Sequence, residues 1–421
     1  MEQTCAAGPQ RQALLGGLTL LLVGLSSVAA AAQARQDPPP TPGIAGGRPV
    51  VKGQNPGGAL DKRIEDLLAR GDSNAARKLV PEFLAQPRVP ADTLLRTGVA
   101  LAQHDLYAEA AEVFGRSVKD FPSQFEGYYN LALAELALKK YSEALATLAQ
   151  APHGSQTEEV ARTYLRGKTE MALGKNAEAE RDFTAAFTAA PQEENYALDL
   201  GLYYIRAQKY QEALAVFEKA TRFHKGSPFL LLGLGLAQFL GGQSAESIET
   251  CRTLLALQPR FSPARVMMAF GLYMRGNIDE AEKVAAQGLH DPNPLEYLYY
   301  LHAVSLLKLQ SKDYNLILND LTLAAQAIPR CSLCYLAMSK VHQRQGEGDA
   351  AVADLEKAVG LDPTFAEAWY RLAALYDQAG RHEAAQQARQ RFEMLKEDKA
   401  DRDTEMLRGV FVKALGGEGS P

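Results

Sequence analysis

YAEAAEVF at residues 107–114, YSEALATL at 141–148 and YQEALAVF at 210–217 follow one pattern. In each segment a large residue is followed three places later by Ala and seven places later by another apolar residue. Side chains at this spacing lie on one face of an α-helix. The segments therefore predict helices that bury the same face in the same way.

The small residue of this pattern recurs with a period of 34 residues. It does so at Ala110 and Ala144, at Ala179, Ala213, Ser247 and Ala281, and at Ala351 and Ala385. Such a period is typical of helix–turn–helix repeats, which stack because one repeat cannot bury its apolar face alone. The sequence thus predicts an all-α repeat protein.

The period, an aromatic first helix, a short turn and a second helix with a small residue resemble the tetratricopeptide repeat (TPR) family, of the bacterial exported or periplasmic type. The clearest copy begins at Ala366, with Trp369 and Tyr376 on the first helix, Gly380 at the turn and Ala385 on the second helix. The resemblance covers roughly 85% of the chain. It implies an α-solenoid, a right-handed superhelix of stacked antiparallel helix pairs.

About ten repeats are expected, beginning near Gly57, Ala91, Phe125, Val160, Glu194, Pro228, Ser262, Leu295, Ser332 and Ala366. Two of them depart from the pattern. The first has Pro81 inside its expected second helix, and the eighth has about two extra residues near Ser311 and Lys312. The eighth repeat is therefore expected to have a longer first helix or a looser turn.

An apolar stretch at residues 226–245 contains no charged residue and raises the question of a membrane span. Ser227 and Pro228 favour a helix start, and Gly241 and Gly242 favour its end. The helix between them is about 18 Å long, which is too short for a hydrocarbon core of about 30 Å. We expect it to be the buried first helix of a repeat.

The sequence predicts four regions. Residues 1–34 are typical of an export signal, because Arg11 precedes an apolar run at residues 13–32; an uncleaved membrane anchor is the alternative. Residues 35–56 form a Pro- and Gly-rich disordered linker, residues 57–399 form the repeats, and residues 400–421 form a C-terminal capping helix and tail. The protein is expected to be periplasmic or secreted, or tethered to the membrane if its N-terminal segment is retained.

The formal net charge is −5, and the sequence contains no sustained basic stripe with interleaved aromatic residues. Nucleic acid is therefore not an expected partner, and membrane contact is expected only through an uncleaved N-terminal segment. We expect no cofactor and no metal. The resemblance implies instead a protein or peptide partner of unknown identity.

In the TPR family, first helices line a groove. The residues that face this groove lie one and five places after the aromatic position of the first helix, which is Trp369 in the last repeat. The candidate groove residues here are Leu95, Val99, Tyr129, Leu133, Leu198, Leu202, Leu232, Leu236, Val266 and Phe270. The corresponding positions in other repeats are Tyr164, Lys168, Leu336, Lys340, Tyr370 and Ala374. A continuous apolar strip predicts binding of an extended or helical apolar partner. In the alternative, these side chains pack on one another or lie under the C-terminal helix, and the protein is a structural spacer.

No enzyme motif accompanies the repeats. Gly167-Lys168-Thr169 lacks the earlier Gly of a phosphate loop, and the histidines are scattered without His-Glu-x-x-His spacing. The expectation is a non-catalytic scaffold.

Cys331-Ser-Leu-Cys334 leaves three alternatives: a local disulfide, a buried thiol pair, or a redox or metal function. A redox site of the thioredoxin type needs a strand before the helix, which the all-helical register does not offer. Cys251 occupies a core position on a second helix and is expected to act as a small apolar side chain.

Overall fold

The structure is a computed structural model that describes residues 60–292 and 294–397. These residues form twenty α-helices and no strand, and they divide into two compact blocks. The N-terminal block (residues 60–200) contains α1 (Leu60–Ala69), α2 (Ser73–Leu84), α3 (Ala91–Gln103), α4 (Tyr107–Asp120), α5 (Phe125–Ala137), α6 (Tyr141–Gln150), α7 (Gln156–Ala172), α8 (Asn176–Ala189) and the start of α9 (Glu194–Arg206).

The C-terminal block (residues 201–397) contains the rest of α9 and the helices that follow it. These are α10 (Tyr210–Phe223), α11 (Pro228–Leu240), α12 (Ser244–Leu257), α13 (Ser262–Arg275), α14 (Ile278–Leu289), α15 (Glu296–Lys308), α16 (Tyr314–Ala327), α17 (Ser332–Gln345), α18 (Gly348–Leu361), α19 (Ala366–Gln378) and α20 (His382–Glu397). In both blocks odd-numbered first helices pack on the even-numbered second helices, and successive pairs stack. The predicted all-α fold of stacked helix pairs is confirmed.

Each helix pair turns through one residue with a positive φ. These residues are Gly71, Asp105, Lys139, Gly174, Gln208, Gly242, Gly276, Gln310, Gly346 and Gly380. The next N–H group then donates to a carbonyl five residues back, as from Gln243 to Gln238 and from Arg381 to Tyr376, both at 2.8 Å. This pattern satisfies carbonyl groups at the end of the first helix and starts the second helix in a fixed direction.

The small residue of the second helix lies in the core of nine of the ten described pairs, as the period predicts. It is buried as Ala76, Ala110, Ala144, Ala179, Ala213, Ser247, Ala281, Ala351 and Ala385. Phe217 shows how a large side chain fills the space beside it. A Cβ atom added to Gly201 or Gly233 would lie 2.3 or 2.5 Å from the Phe217 ring, so this ring requires glycine on both flanking first helices.

The uncharged stretch forms α11, as expected. The Ser227 side chain accepts a hydrogen bond from the Leu230 N–H at 3.2 Å, Pro228 opens the helix, and the chain turns at Gly242. Across the part of the chain that the structure describes, helices long and apolar enough for a membrane span are absent.

Two local features change the expected repeats. Five residues (309–313) separate α15 from α16, whereas other pairs have two or three. The extra residues therefore lengthen the turn, and Ile317 takes the place of the small core residue. The first helix of the fourth pair, α7, begins at Gln156 rather than near Val160, because Ser155 and Glu158 form a reciprocal capping box.

The first repeat keeps a second helix, α2, that includes Pro81. The predicted signal segment, linker and final C-terminal helix lie outside the described residues.

The exposed Gln310 has a φ of 59°, which costs an ordinary L-residue about 1 kcal/mol or more. Gln310→Gly should therefore raise the free energy of unfolding of the C-terminal block by about 1 kcal/mol. The matched change Gly242→Gln, at a φ of 83° with open space around the Cα atom, should lower it by a similar amount. Chemical denaturation measures both changes. Shifts of the free energy of unfolding in the same direction for the two variants would contradict a left-handed conformation at both positions.

Candidate partner-binding face

The candidate groove residues of the N-terminal block lie on its first helices, and their side chains are half-buried. They are Leu95 and Val99 on α3, Tyr129 and Leu133 on α5, and Leu198 on α9. The inner part of Leu95 and Val99 packs on a core that includes Leu94 and Leu101, and Tyr129 and Leu133 pack on Ala132 and Leu165. The outer part of each side chain stays at the surface. We call these five residues the first-helix face.

A polar cluster lies beside this face. The Tyr164 hydroxyl donates to Asp199 Oδ2 at 2.5 Å, and Lys168 Nζ lies 3.0 Å from the same oxygen. The rings of Tyr164 and Tyr196 are 4.3 Å apart between centroids. The sequence predicted Tyr164 and Lys168 at groove positions but missed Tyr196 and Asp199, which lie outside the expected register.

Burial controls the chemistry of these tyrosines. It is the largest cause that raises the pKa of Tyr164, with the Asp199 carboxylate adding to it, and it raises the pKa of Tyr129. Burial and the charge of Glu193 raise the pKa of Tyr196 to about 12. The three hydroxyl groups therefore stay protonated near neutral pH, as hydrogen-bond donors.

In the C-terminal block, Leu202 is half-buried, but the next four candidate residues lie in the interior. Leu232, Leu236, Val266 and Phe270 are 7%, 2%, 0% and 3% exposed. Here the apolar strip is closed. A closed strip is what the alternative hypothesis predicts, in which these side chains pack on one another. The predicted role of these four residues in binding stays a prediction, but in this conformation they offer a partner almost no surface.

Close packing between α11 and α13 explains this burial. A Cβ atom added to Gly235 of α11 would lie 3.4 Å from Met267 Sδ of α13, at ordinary van der Waals contact, so the two helices are close-packed at this point. The rings of Phe239 and Phe270 are 5.5 Å apart and cover each other. First helices of adjacent pairs therefore use their apolar positions for mutual contact.

On α17 and α19, at the end of the C-terminal block, charged side chains form a cluster. Lys340 Nζ lies 3.3 Å from Glu367 Oε1, to which Arg371 Nε donates at 2.9 Å. Burial lowers the pKa of Lys340, while the two cations outweigh burial and lower the pKa of Glu367. Leu336 is buried, whereas Tyr370 and Ala374 are exposed.

Comparison with known protein families identifies the repeat. A family model described as tetratricopeptide repeat matches residues 62–124, 98–158, 164–228 and 198–260, and a second model with the same description matches residues 342–406. Together these matches span more than half of the 421 residues. The chain belongs to the tetratricopeptide repeat family. TPR proteins are typically non-catalytic scaffolds that bind protein partners.

The individual relatives are distant. Over 104 residues the chain is 29% identical to small glutamine-rich tetratricopeptide repeat-containing protein 2 of Saccharomyces cerevisiae, and the match spans 25% of this chain and 29% of that relative. A solved tetratricopeptide repeat protein from Parabacteroides merdae is 19% identical, with a TM-score of 0.43 over 60% of this chain and 98% of that one. The C-terminal part of a TPR protein from Cytophaga hutchinsonii is 18% identical, with a TM-score of 0.42 over 65% and 97%.

In this TPR chain, Cys331 and Cys334 are joined by a sulfur–sulfur bond of 1.89 Å at the start of α17. Cys331 Sγ also accepts a hydrogen bond from the Cys334 N–H at 3.2 Å. Both side chains are at most 1% exposed, so a substrate disulfide cannot approach either sulfur in this conformation. Their redox state in solution stays a prediction.

Other candidate chemical groups have structural partners. Gly167, Lys168 and Thr169 lie within α7 instead of a loop, and His342 Nδ1 is 2.7 Å from Asp354 Oδ2. Among residues 60–292 and 294–397, no group of three or more His, Cys, Asp or Glu side chains is arranged to hold a metal ion.

His302 is a buried base between two carboxylates. Its Nδ1 lies 2.6 Å from Asp320 Oδ2, and its Nε2 lies 3.4 Å from Glu282 Oε1. Burial favours the neutral ring, but the two carboxylates outweigh burial and raise the pKa of His302. This interaction joins α15 to the second helices on both of its sides.

We expect stability to depend on pH through His302. Because the folded-state pKa is raised, the stabilisation is fully present below the unfolded pKa of about 6.5 and is lost as pH rises through the folded pKa. The denaturant concentration at the midpoint of unfolding should therefore decrease as the pH is raised from about 6 to about 9, and it should decrease less in His302→Gln. Parallel curves for the two proteins would contradict this linkage.

Cysteine labelling tests the bond and the burial together. Burial raises the pKa of the Cys251 thiol to about 12, so iodoacetamide should not modify it in the folded protein. After denaturation without reductant, Cys251 should be labelled while Cys331 and Cys334 are not; with reductant, all three should be labelled. Mass spectrometry of peptides reads each site, and labelling of Cys331 without reductant would exclude the disulfide.

Proposed function

We propose that this TPR protein is an exported, non-catalytic scaffold that binds an apolar segment of a protein partner on the first-helix face of residues 60–200. One observation carries the proposal: Leu95, Val99, Tyr129, Leu133 and Leu198 remain half-buried at repeating positions, whereas their counterparts on α11 and α13 are buried. Apolar surface that recurs on α3, α5 and α9 fits an extended or helical segment, with the buried Tyr164 and the ion-paired Lys168 at the groove positions of α7 between them.

The energetics are adequate for a specific interaction. Full burial of a large apolar side chain contributes about 1.5–3 kcal/mol, so covering the exposed part of one, which is about a third of its surface or less, contributes about 0.5 kcal/mol. Because each side chain is already held by the core beneath it, binding costs little further ordering on this side of the interface. The protonated hydroxyl of the half-buried Tyr196, beside the face, can donate a hydrogen bond that fixes the register of the partner.

Export is supported by the sequence of the first 34 residues, in which a basic residue precedes an apolar run. The bonded pair Cys331 and Cys334 is compatible with an oxidising compartment, where such bonds persist.

A redox function is disfavoured. Thiol–disulfide exchange requires a sulfur that another thiolate can attack, and both sulfurs are buried. A purely structural spacer remains the competing account, and it differs in one respect: it predicts that changes on the first-helix face affect nothing but stability.

Affinity capture from the cells that produce the protein tests the proposal. Leu133→Arg with Leu198→Arg should weaken capture of a specific partner at least about tenfold, because the charges oppose burial of an apolar segment. The matched control Ala108→Arg with Ala149→Arg places the same charges at exposed positions on second helices of the same block and should leave capture unchanged.

Circular dichroism and a melting curve must first show that both variants are folded. Equal capture by wild type and by the folded Leu133 and Leu198 variant would contradict binding on this face and favour the spacer.

A further inference from the structure

The C-terminal block exposes large apolar side chains at the end of two consecutive second helices. Phe223 ends α10 and Leu257 ends α12, and each is 53% exposed. The two residues are 34 positions apart, so they occupy equivalent places in successive repeats. Exposed Leu or Phe side chains are common singly, but a repeated pair on one edge calls for an explanation.

Two further aromatic rings connect these ends. Phe229 begins α11 just after Phe223, and Phe261 follows Leu257 before α13. The rings of Phe229 and Phe261 meet edge to face, with their centroids 6.3 Å apart. Phe223 and Leu257 lie six and four residues before these rings in the chain, so all four apolar side chains are at the two neighbouring junctions between helix pairs.

Three basic side chains lie at the same two junctions between helix pairs. Arg222, Lys225 and Arg260 are all exposed, and neither residues 222–229 nor residues 257–263 contain Asp or Glu. The whole chain is acidic, with a net charge of −5, so this local excess of positive charge is not visible in its composition. We call these seven residues the loop-edge patch.

We propose that the loop-edge patch docks on an anionic lipid bilayer. Phe223 and Leu257 enter the boundary between headgroups and acyl chains, while Arg222, Lys225 and Arg260 contact lipid phosphates. Basic side chains near an anionic surface and apolar side chains that insert beside them are the two contributions by which peripheral proteins bind membranes.

The geometry favours a bilayer over an acidic peptide. Peptide sites are usually grooves that surround the apolar side chains of the ligand. Here the apolar side chains of the protein itself project outward, and the recess next to them, lined by Gln258, Pro259, Arg260 and Phe261, is shallow and open. A fluid surface can receive projecting side chains without a matching pocket.

Vesicle co-sedimentation tests the proposal with the chain that begins at Arg35, the form that export would leave. Vesicles of about one-third phosphatidylglycerol in phosphatidylcholine should bind it at least about tenfold more strongly than pure phosphatidylcholine, and high salt should reduce the difference. Arg222→Gln with Lys225→Gln and Arg260→Gln should remove the preference for anionic vesicles. Phe223→Ser with Leu257→Ser should reduce binding at least about tenfold.

Leu316→Ser with Leu323→Ser is the matched control, because these residues are also exposed but lie on α16, away from the basic side chains of the patch. This control should bind as the wild type does. Circular dichroism excludes unfolding of any variant.

The proposal is overturned if the wild type binds neither vesicle, or if the patch variants bind anionic vesicles as strongly as the wild type. It is also overturned if an acidic, leucine-containing peptide binds through these residues while vesicles do not. That result would assign the patch to a protein segment.

Discussion

The register of the structure depends on one backbone constraint: every helix pair must reverse direction through a residue in the left-handed region. Within residues 60–292 and 294–397, each of the ten turns between paired helices has one such residue, and Arg330 is a further one between two pairs. The hydrogen bond that follows the turn fixes where the second helix starts, and this start places the small residue against the first helix. Glycine meets the constraint without strain at Gly242 and Gly276, whereas Gln208 and Gln310 adopt the same conformation at a backbone cost that glycine avoids.

Regular turns do not make the repeats equivalent. In the N-terminal block, Leu133 and Leu198 keep part of their surface, whereas in the C-terminal block Val266 and Phe270 occupy the corresponding positions and are covered. The difference arises in the side chains between neighbouring first helices, where Met267 packs beside Gly235 and the ring of Phe239 packs on the ring of Phe270. One backbone plan thus provides partly exposed apolar positions on α3, α5 and α9 and sealed ones on α11 and α13.

The fold was predictable from sequence because period and helix geometry are local properties. The 34-residue spacing from Ala213 to Ser247 and Ala281 located the helix pairs, and Ser227-Pro228 located the start of α11. Even the early start of α7 had a readable signal in Ser155 and Glu158, a capping box that the repeat register obscured. The candidate site was less predictable, since exposure depends on how neighbouring repeats approach one another. Asp199 illustrates this limit, because its bond to Tyr164 joins residues 35 positions apart at places where the repeat pattern gives no polar signal.

The proposed binding site for a protein partner is the first-helix face. Site-specific photo-crosslinking in the cells that produce the protein tests this proposal most directly. A photoreactive residue is placed in turn at Leu133 and Leu198, and at the exposed second-helix positions Ala108 and Ala149. We predict one discrete crosslinked protein from both first-helix positions and none from the two second-helix positions. Crosslinks that form only from Ala108 and Ala149 would contradict the account and place the partner on the second helices.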